Sequence, residues 1–292
     1  METHGHPACP VTAKAQEYAR DTVQKAFVDS VIEDRTGNYP KFEFSELQLG
    51  KVLGKGGFGT VSEIRAFVMN GKKVQVNTRK GFSDDLEETE YYDPSNTNSS
   101  SDATKVQQDA RTFIAQHCLR NNSDARYAIK MLSPEVVKDK GMFVQGMMDM
   151  ALETRFMCDM EHPNIVKIRA MAQCDPFQAE YFLVMDRLYD TLERRIQKVW
   201  LPKHKRQKSF LGKAILDRKG EKKDALFEER IVYAFDLAAA INYLHQRKIL
   251  YRDLKPENIG YVIYICFILF LLAALSQFRF LILSVTLLLR HP

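Results

Sequence analysis

Tyr251-Arg252-Asp253-Leu254-Lys255-Pro256-Glu257-Asn258 is the stretch on which the reading of this chain turns. Asp253 can accept the proton of a hydroxyl group. Lys255, two residues on, can steady a concentrated negative charge such as a phosphate. Asn258 can offer its side-chain oxygen to Mg²⁺. Spacings of two and five residues on a short loop, stiffened by Pro256, bring the three to one focus. The loop follows directly on residues 227–246, where Ile231, Phe235, Leu237, Ala238, Ile241 and Leu244 recur at helical spacing and predict one long helix.

Working back toward the N-terminus, a second constellation appears. Phe42, Phe44, Leu47 and Leu49 lead through Val52-Leu53 into Gly54-Lys55-Gly56-Gly57-Phe58-Gly59, and then into Thr60-Val61-Ser62-Glu63-Ile64. A glycine pattern of this kind is weak alone, because dinucleotide-binding folds share it. There the last glycine opens a helix, whereas the residues after Gly59 favour a strand. The pattern therefore predicts a hairpin whose backbone N–H groups approach an anion closely. Arg126–Leu132 reads as a buried strand that carries Lys130 after Ala128-Ile129. A lysine there needs a partner. Glu153, on a Met-rich helix expected over 143–160, supplies one. Lys130 would hold phosphates and Glu153 would hold Lys130. Ile165–Ile168 and Tyr181–Met185 read as short strands.

Taken in this order, the elements resemble the eukaryotic protein kinases, over 47–64, 125–193 and 225–260. The resemblance implies an α+β fold: a small lobe of antiparallel sheet plus one helix, and the first part of a helical large lobe. It implies ATP and Mg²⁺ as cofactors and Ser/Thr of a protein as substrate, since Lys255 matches the serine/threonine kinases. Asp253 would be the base, Lys255 the phosphate stabiliser, Lys130 and Glu153 the phosphate-holding pair, and Asn258 a metal ligand. Gly54, Gly56 and Gly59 would fold over the phosphates. Leu53, Val61 and Ala128 would cover the adenine, with Met185 as gatekeeper and Asp186–Leu188 as hinge. Tyr251 stands where many kinases carry His.

The sequence also departs from the family. No Asp or Glu follows Glu257, so the Asp-Phe-Gly motif that supplies the second magnesium ligand is missing, as are the activation segment and the peptide-binding helices. A neutral Asn oxygen is a weak ligand for a hard cation. Little or no phosphotransfer by this polypeptide is the expectation. The alternatives are a non-catalytic, membrane-tethered binding module and a fragment without function. Residues 259–278 are uncharged and, as a helix, would span about 30 Å. The segment 259–289 is therefore expected to form a hydrophobic C-terminal helix, either as a membrane anchor or as translated intron. The second reading rests on Gly260-Tyr261-Val262, which can be encoded by a splice-donor sequence. The organisation expected is a 1–46 extension, a partial kinase domain over 47–260 with insertions at 65–124 and 194–224, and a 261–292 tail.

Composition bounds what else is open. At 292 residues, 45% hydrophobic and 27% charged, the chain is neither collagen-like, wholly disordered nor a disulfide scaffold. Its net charge of +5 conceals twelve Lys/Arg against three Asp/Glu in 194–224. That stretch reads as a solvated loop suited to an acidic partner or anionic lipid. With Trp200 its lone tryptophan, nucleic acid is not expected. Five scattered cysteines and no apolar leader indicate a cytoplasmic location, or a membrane-associated one should the tail insert. His4, His6 and Cys9 read as a polar terminus. Residues 12–33, through Ala15, Tyr18, Phe27 and Val31, predict a helix packed on the domain. In the first insertion, the acidic stretch 84–93 and polar run 94–101 read as a loop, with a helix at 104–119.

Overall fold

A computed structural model describes residues 11–76, 103–120, 123–208, 220–251, 253–263 and 266–269. The chain divides into two units. The first holds the described residues up to Met160 together with Lys167–Arg187. The second holds Glu161–Val166 and the described residues from Leu188 onward.

The first unit opens with α1 (Ala13–Lys25), capped by Thr12, whose hydroxyl oxygen accepts from the Ala15 N–H at 3.3 Å. The helix expected over 12–33 stops at Lys25, because Phe27 turns inward against Phe156 (ring centroids 5.2 Å apart). The residues that bury are Ala19, Val23, Phe27 and Ile32, while Tyr18 and Val31 are exposed. There follow β1 (Lys41–Phe42), β2 (Leu47–Lys55), β3 (Gly59–Met69), β4 (Lys72–Lys73), α2 (Ala103–Gln116), β5 (Tyr127–Leu132), α3 (Pro134–Lys138), α4 (Lys140–Asp159), β6 (Ile168–Ala172) and β7 (Phe182–Asp186). The strands run β1-β6-β7-β5-β3-β2, with β4 paired to β3.

All these pairs are antiparallel except β1 with β6. The sheet is antiparallel, as expected from sequence, except for the two-residue β1. Pro40 and Phe42 carbonyls accept from the Met171 and Gln173 N–H groups, which draws the N-terminal segment onto the sheet edge. The β2–β3 pairing shifts register at Gln48/Leu49, Leu49/Val52 and Val52/Gly54. The strand expected at 165–168 begins only at Ile168, since the Ile165 N–H closes a turn onto the His162 carbonyl. The helix expected at 104–119 is α2. The acidic and polar runs between 84 and 101 lie outside the described residues.

Core formation in this unit centres on α4. Asp139 caps it, accepting from the Met142 N–H at 2.8 Å. Its first turn, through Met142, is exposed, whereas from Gly146 to Asp159 nearly every residue is buried, so that part of the helix is buried on every side. A Cβ on Gly146 would lie 2.9 Å from Leu132 Cδ2, so glycine is what lets α4 approach β5. Two buried ion pairs join residues at the interior strands β6, β7 and β3. Arg169 Nε and Nη2 donate to the two Asp186 oxygens at 2.8 and 2.7 Å, and Arg187 pairs with Glu63 at 2.9 Å.

The second unit holds β8 (Asp190–Thr191), α5 (Leu192–Arg195), a π-helical turn Ile196–Trp200, α6 (Leu201–Lys208), α7 (Glu221–Gln246), a 3₁₀ turn Pro256–Asn258, β9 (Ile259–Ile263) and β10 (Cys266–Leu269). The basic stretch expected to be a loop is helical up to Lys208; 209–219 lie outside the described residues. α7 begins six residues before Phe227. Gly220 turns the chain with φ +80°, and Glu221 and Asp224 complement the helix N-terminus. Its buried residues are Leu226, Ala240 and Leu244, whereas Ile231 and Phe235 are exposed, contrary to the periodicity. Residues 161–166 are fastened to it. The Glu161 N–H donates to Tyr243 Oη at 2.9 Å, and Asn164 Nδ2 donates to the Asp236 carbonyl at 2.9 Å. His162 Nδ1 accepts from the Asn164 N–H, and burial lowers the imidazole below its ordinary pKa against the pull of Asp236.

The hydrophobic helix expected from 259 is corrected at its start. β8, β9 and β10 form one antiparallel sheet, with Asp190 opposite Tyr261 and Thr191 opposite Gly260. A Cβ on Gly260 would stand 2.7 Å from Leu188 Cδ1 and 3.0 Å from the Asp190 carbonyl oxygen. An apolar run of this length fits strand and helix alike by periodicity, and here the pairing partner decides. Among the described residues no helix is long and apolar enough to cross a membrane. Residues 270–292 lie outside them.

The sole tryptophan reports on this unit. Trp200 Nε1 donates to Glu229 at 3.0 Å, and Arg195 pairs with the same carboxylate. Burial pushes Glu229 up, but the Trp200 and Arg195 hydrogen bonds and charge outweigh it and hold the carboxyl below its ordinary value. A depressed acid stabilises the fold above its unfolded pKa, and that contribution disappears as pH falls through the folded value. Trp200 fluorescence should therefore change below about pH 4.3, the ordinary glutamate value. In Glu229→Gln that step should vanish; a step that persists in the variant contradicts the coupling.

Candidate functional site

The residues singled out in the sequence fall into two sets, one in each unit. In the first unit, β5 runs between β3 and β7. Val61 faces Lys130 in register, Ala128 faces Met185, and Gly54 faces Val61. One sheet thereby carries Leu53, Gly54, Val61, Ala128, Lys130 and Met185. Ala128 and Met185 are buried, while Leu53 and Val61 stay half-buried. Asp186 closes β7, and its carboxylate is held by Arg169. The chain leaves this unit after Arg187, so Leu188 belongs to the other.

The glycine turn leaves space. A Cβ on Gly54 or Gly57 would meet nothing within 4 Å, and one on Gly56 would meet only the Gly59 carbonyl at 3.9 Å. Packing within the chain does not require these glycines. The room they leave is what a phosphate group would occupy if backbone N–H groups are to reach it. Gly59 differs: a Cβ there would lie 3.0 Å from the Met131 carbonyl oxygen and 3.5 Å from Lys130 Cε. Its absence lets β3 close on β5 beside the Lys130 side chain.

Lys130 Nζ donates to Glu153 Oε2 in a buried ion pair. The helix puts Glu153 there because residues on both flanks of it, Leu152 and Thr154, are also buried, and Thr154 bonds Tyr181 Oη at 3.1 Å. Burial raises the Glu153 carboxyl above its ordinary pKa, with the Lys130 ammonium pulling the other way. Glu153 is 1% exposed, so this charge depends on Lys130 for its stability.

In the second unit, the loop after α7 brings three side chains together. Lys255 Nζ lies 3.0 Å from Asp253 Oδ2. Asn258 Nδ2 donates to the Asp253 backbone carbonyl at 2.9 Å and to Asp253 Oδ2 at 2.8 Å. The 3₁₀ turn Pro256–Asn258 folds the chain back far enough for this, with Asn258 buried. Since the Asn258 amide nitrogen is turned to Asp253, its Oδ1 is the atom left to face a cation. One neutral oxygen does not make a Mg²⁺ site. Among the described residues no group of three His, Cys, Asp or Glu could hold a metal ion. The residues present fit the phosphates of a nucleotide and do not by themselves fit the metal. Tyr251 is buried; Arg252 lies outside the described residues.

A family model described as the protein kinase domain matches residues 114–262. The chain belongs to the protein kinase family. Its relatives include ribosomal protein S6 kinase alpha-1 of Homo sapiens, 26% identical over 151 residues, which are 51% of this chain and 16% of that protein. The serine/threonine-protein kinase DCLK3 of Mus musculus is 24% identical over 153 residues, 52% of this chain and 15% of that one. Ribosomal protein S6 kinase 2 alpha of Gallus gallus is 26% identical over 151 residues, 51% and 16%. The chain thus spans only about a sixth of the length of these relatives. The kinase match begins within α2 and ends in β9, so β9 lies inside the family's domain and the chain up to Val262 continues as kinase.

Sequence reasoning missed the Arg169–Asp186 and Arg187–Glu63 pairs. A single Arg within an apolar strand, with an acid ending the neighbouring strand, was the available signal for the first. Nothing local marked the second, whose partners lie far apart in the chain.

The Lys130–Glu153 pair gives a pH-dependent expectation. Without Lys130, burial alone acts on Glu153, whose carboxyl then stays protonated in the folded protein. A raised acid contributes stability below its unfolded pKa that is lost as pH rises through the folded value. Lys130→Met should therefore destabilise the protein more at pH 8 than at pH 5, by about 3 kcal/mol or more at the higher pH. Urea midpoints of variant and wild type at both pH values measure it. An equal loss at both shows that Glu153 does not depend on Lys130.

Proposed function

We propose that this chain carries the nucleotide-cradling and hydroxyl-activating parts of an ATP-dependent protein serine/threonine kinase. The observation that carries this reading is the buried Lys130–Glu153 pair set beside the open glycine turn. A lysine fixed by a buried acid, beneath unfilled backbone, suits the phosphates of ATP. In the reaction, a substrate hydroxyl oxygen forms a bond to the γ-phosphorus, the bond to the bridging oxygen breaks, and ADP leaves. Asp253 would take the hydroxyl proton. Lys255 would offset charge on the transferring group, and its place 3.0 Å from Asp253 Oδ2 supports a shared task. Mg²⁺, when bound, would neutralise phosphate charge, with Asn258 as one ligand.

These 292 residues hold no carboxylate beyond Glu257. No carboxylate therefore stands after the loop as a second metal ligand within them. The polypeptide by itself is therefore expected to bind nucleotide and transfer little or no phosphate. A second reading, a binding module without catalysis, is favoured by the exposed cations Lys198, Lys203, Lys205, Arg206 and Lys208, which suit an acidic protein partner.

Calorimetry with ATP should show saturable binding that Lys130→Met weakens about tenfold or more, the size of a lost charge-assisted contact. Absence of saturable binding overturns the functional reading. In a radiolabel assay, phosphotransfer should stay at background. Turnover that Asp253→Asn abolishes would instead make this polypeptide a complete enzyme.

A further inference from the structure

The first unit contains one element that neither carries Lys130 or Glu153 nor belongs to the glycine hairpin, yet touches the support of both. Residues 13–39 run from the β6–β7 connection to the C-terminal half of α4. At the first end, Gln16 Nε2 donates to the Phe177 carbonyl at 3.0 Å, and Arg20 pairs with Asp175 at 2.8 Å. The Arg20 guanidinium also lies over the Phe177 ring at 4.9 Å. At the other end, Phe27 packs on Phe156, and the Arg155 guanidinium covers Phe27 at 4.5 Å. Arg155 pairs with Asp34 at 3.2 Å, Arg35 pairs with buried Asp159 at 3.1 Å, and Tyr39 Oη donates to the Cys158 carbonyl at 3.1 Å.

All of the α4 residues gripped in this way, Arg155, Phe156, Cys158 and Asp159, lie within two turns of Glu153. The other anchor is on the loop between β6 and β7, and β7 pairs directly with β5, the strand of Lys130. The segment therefore ties the helix of Glu153 to the sheet of Lys130 along a path separate from the ion pair. A helix packed in this way can still slide or rotate as a body unless something fixes it from outside the sheet, and packed interfaces of this kind have discrete positions.

We infer that residues 13–39 are a brace that sets the position of α4, and that Phe27 is a positioning residue for the Lys130–Glu153 pair. Phe27 is chosen because its ring contacts both Phe156 and Arg155. Loosening it lets Glu153 withdraw and leaves Lys130 open to solvent, without unfolding the sheet. The inference rests on the reading of Lys130 and Glu153 as a functional pair, but its test needs no nucleotide.

The test is reductive methylation of Lys130 in the full 292-residue chain, using formaldehyde and cyanoborohydride, followed by mass spectrometry. Glu153→Gln sets the rate for Lys130 without its carboxylate partner. Phe27→Ala should raise methylation of Lys130 about tenfold, as a local opening does, toward that rate. Phe27→Leu, which keeps the packing, should stay near wild type. In the Glu153→Gln background, Phe27→Ala should add nothing. Alkylation of buried Cys118 in the same samples reports general unfolding and should stay low. Unchanged Lys130 reactivity in Phe27→Ala overturns the inference, as does Cys118 opening in parallel. If Glu153→Gln itself fails to expose Lys130, the pair does not shield the lysine and the inference falls, while the functional reading is decided separately by nucleotide binding.

Discussion

An ammonium and a carboxylate removed from water at the centre of the first unit constrain most of what surrounds them. Glu153 cannot remain ionised there without Lys130, and β5 can present Lys130 only if β3 and β7 flank it in register. The glycine at 59, the absence of a Cβ at 146 and the burial of α4 from there onward follow from bringing one helix and one strand within reach of a single ion pair. Removing either charge leaves the other stranded, so breaking such a pair costs far more than the intact pair contributes to overall stability.

The second unit has a different constraint. Its loop gathers Asp253, Lys255 and Asn258 through short hydrogen bonds within one turn, so the cluster is local and needs little from the rest of the chain. This locality explains why the loop was the most legible feature of the sequence. The residue types and their spacing already contain the geometry. The glycine hairpin was legible for the same reason, and Lys130 and Glu153 became so once strand and helix were recognised on either side.

What could not be read was set by partners far away in sequence. Val31 looked like a continuation of a helix whose real continuation is Phe27 folding onto Phe156, 129 residues away. Ile231 and Phe235 sit on the predicted apolar side of α7 yet face outward, because periodicity marks a face without naming what covers it. The run from Ile259 looked like a membrane helix because it is long, apolar and uncharged. Its first residues are strand because Asp190 and Thr191 offer a backbone to pair with and Gly260 fits the gap beside Leu188. In each case the composition was read correctly and the competing contact was invisible.

The irregular register of β2 against β3 has one more consequence. β2 is the last strand of the sheet, and a straight, evenly paired edge would offer its free backbone groups to any other strand. Three shifts of register within nine residues bend and twist this edge, and Lys51 and Lys55 place charge along it. The irregularity of the strand leading into the glycine turn thus also spoils the template for intermolecular β-pairing and guards this edge against self-association.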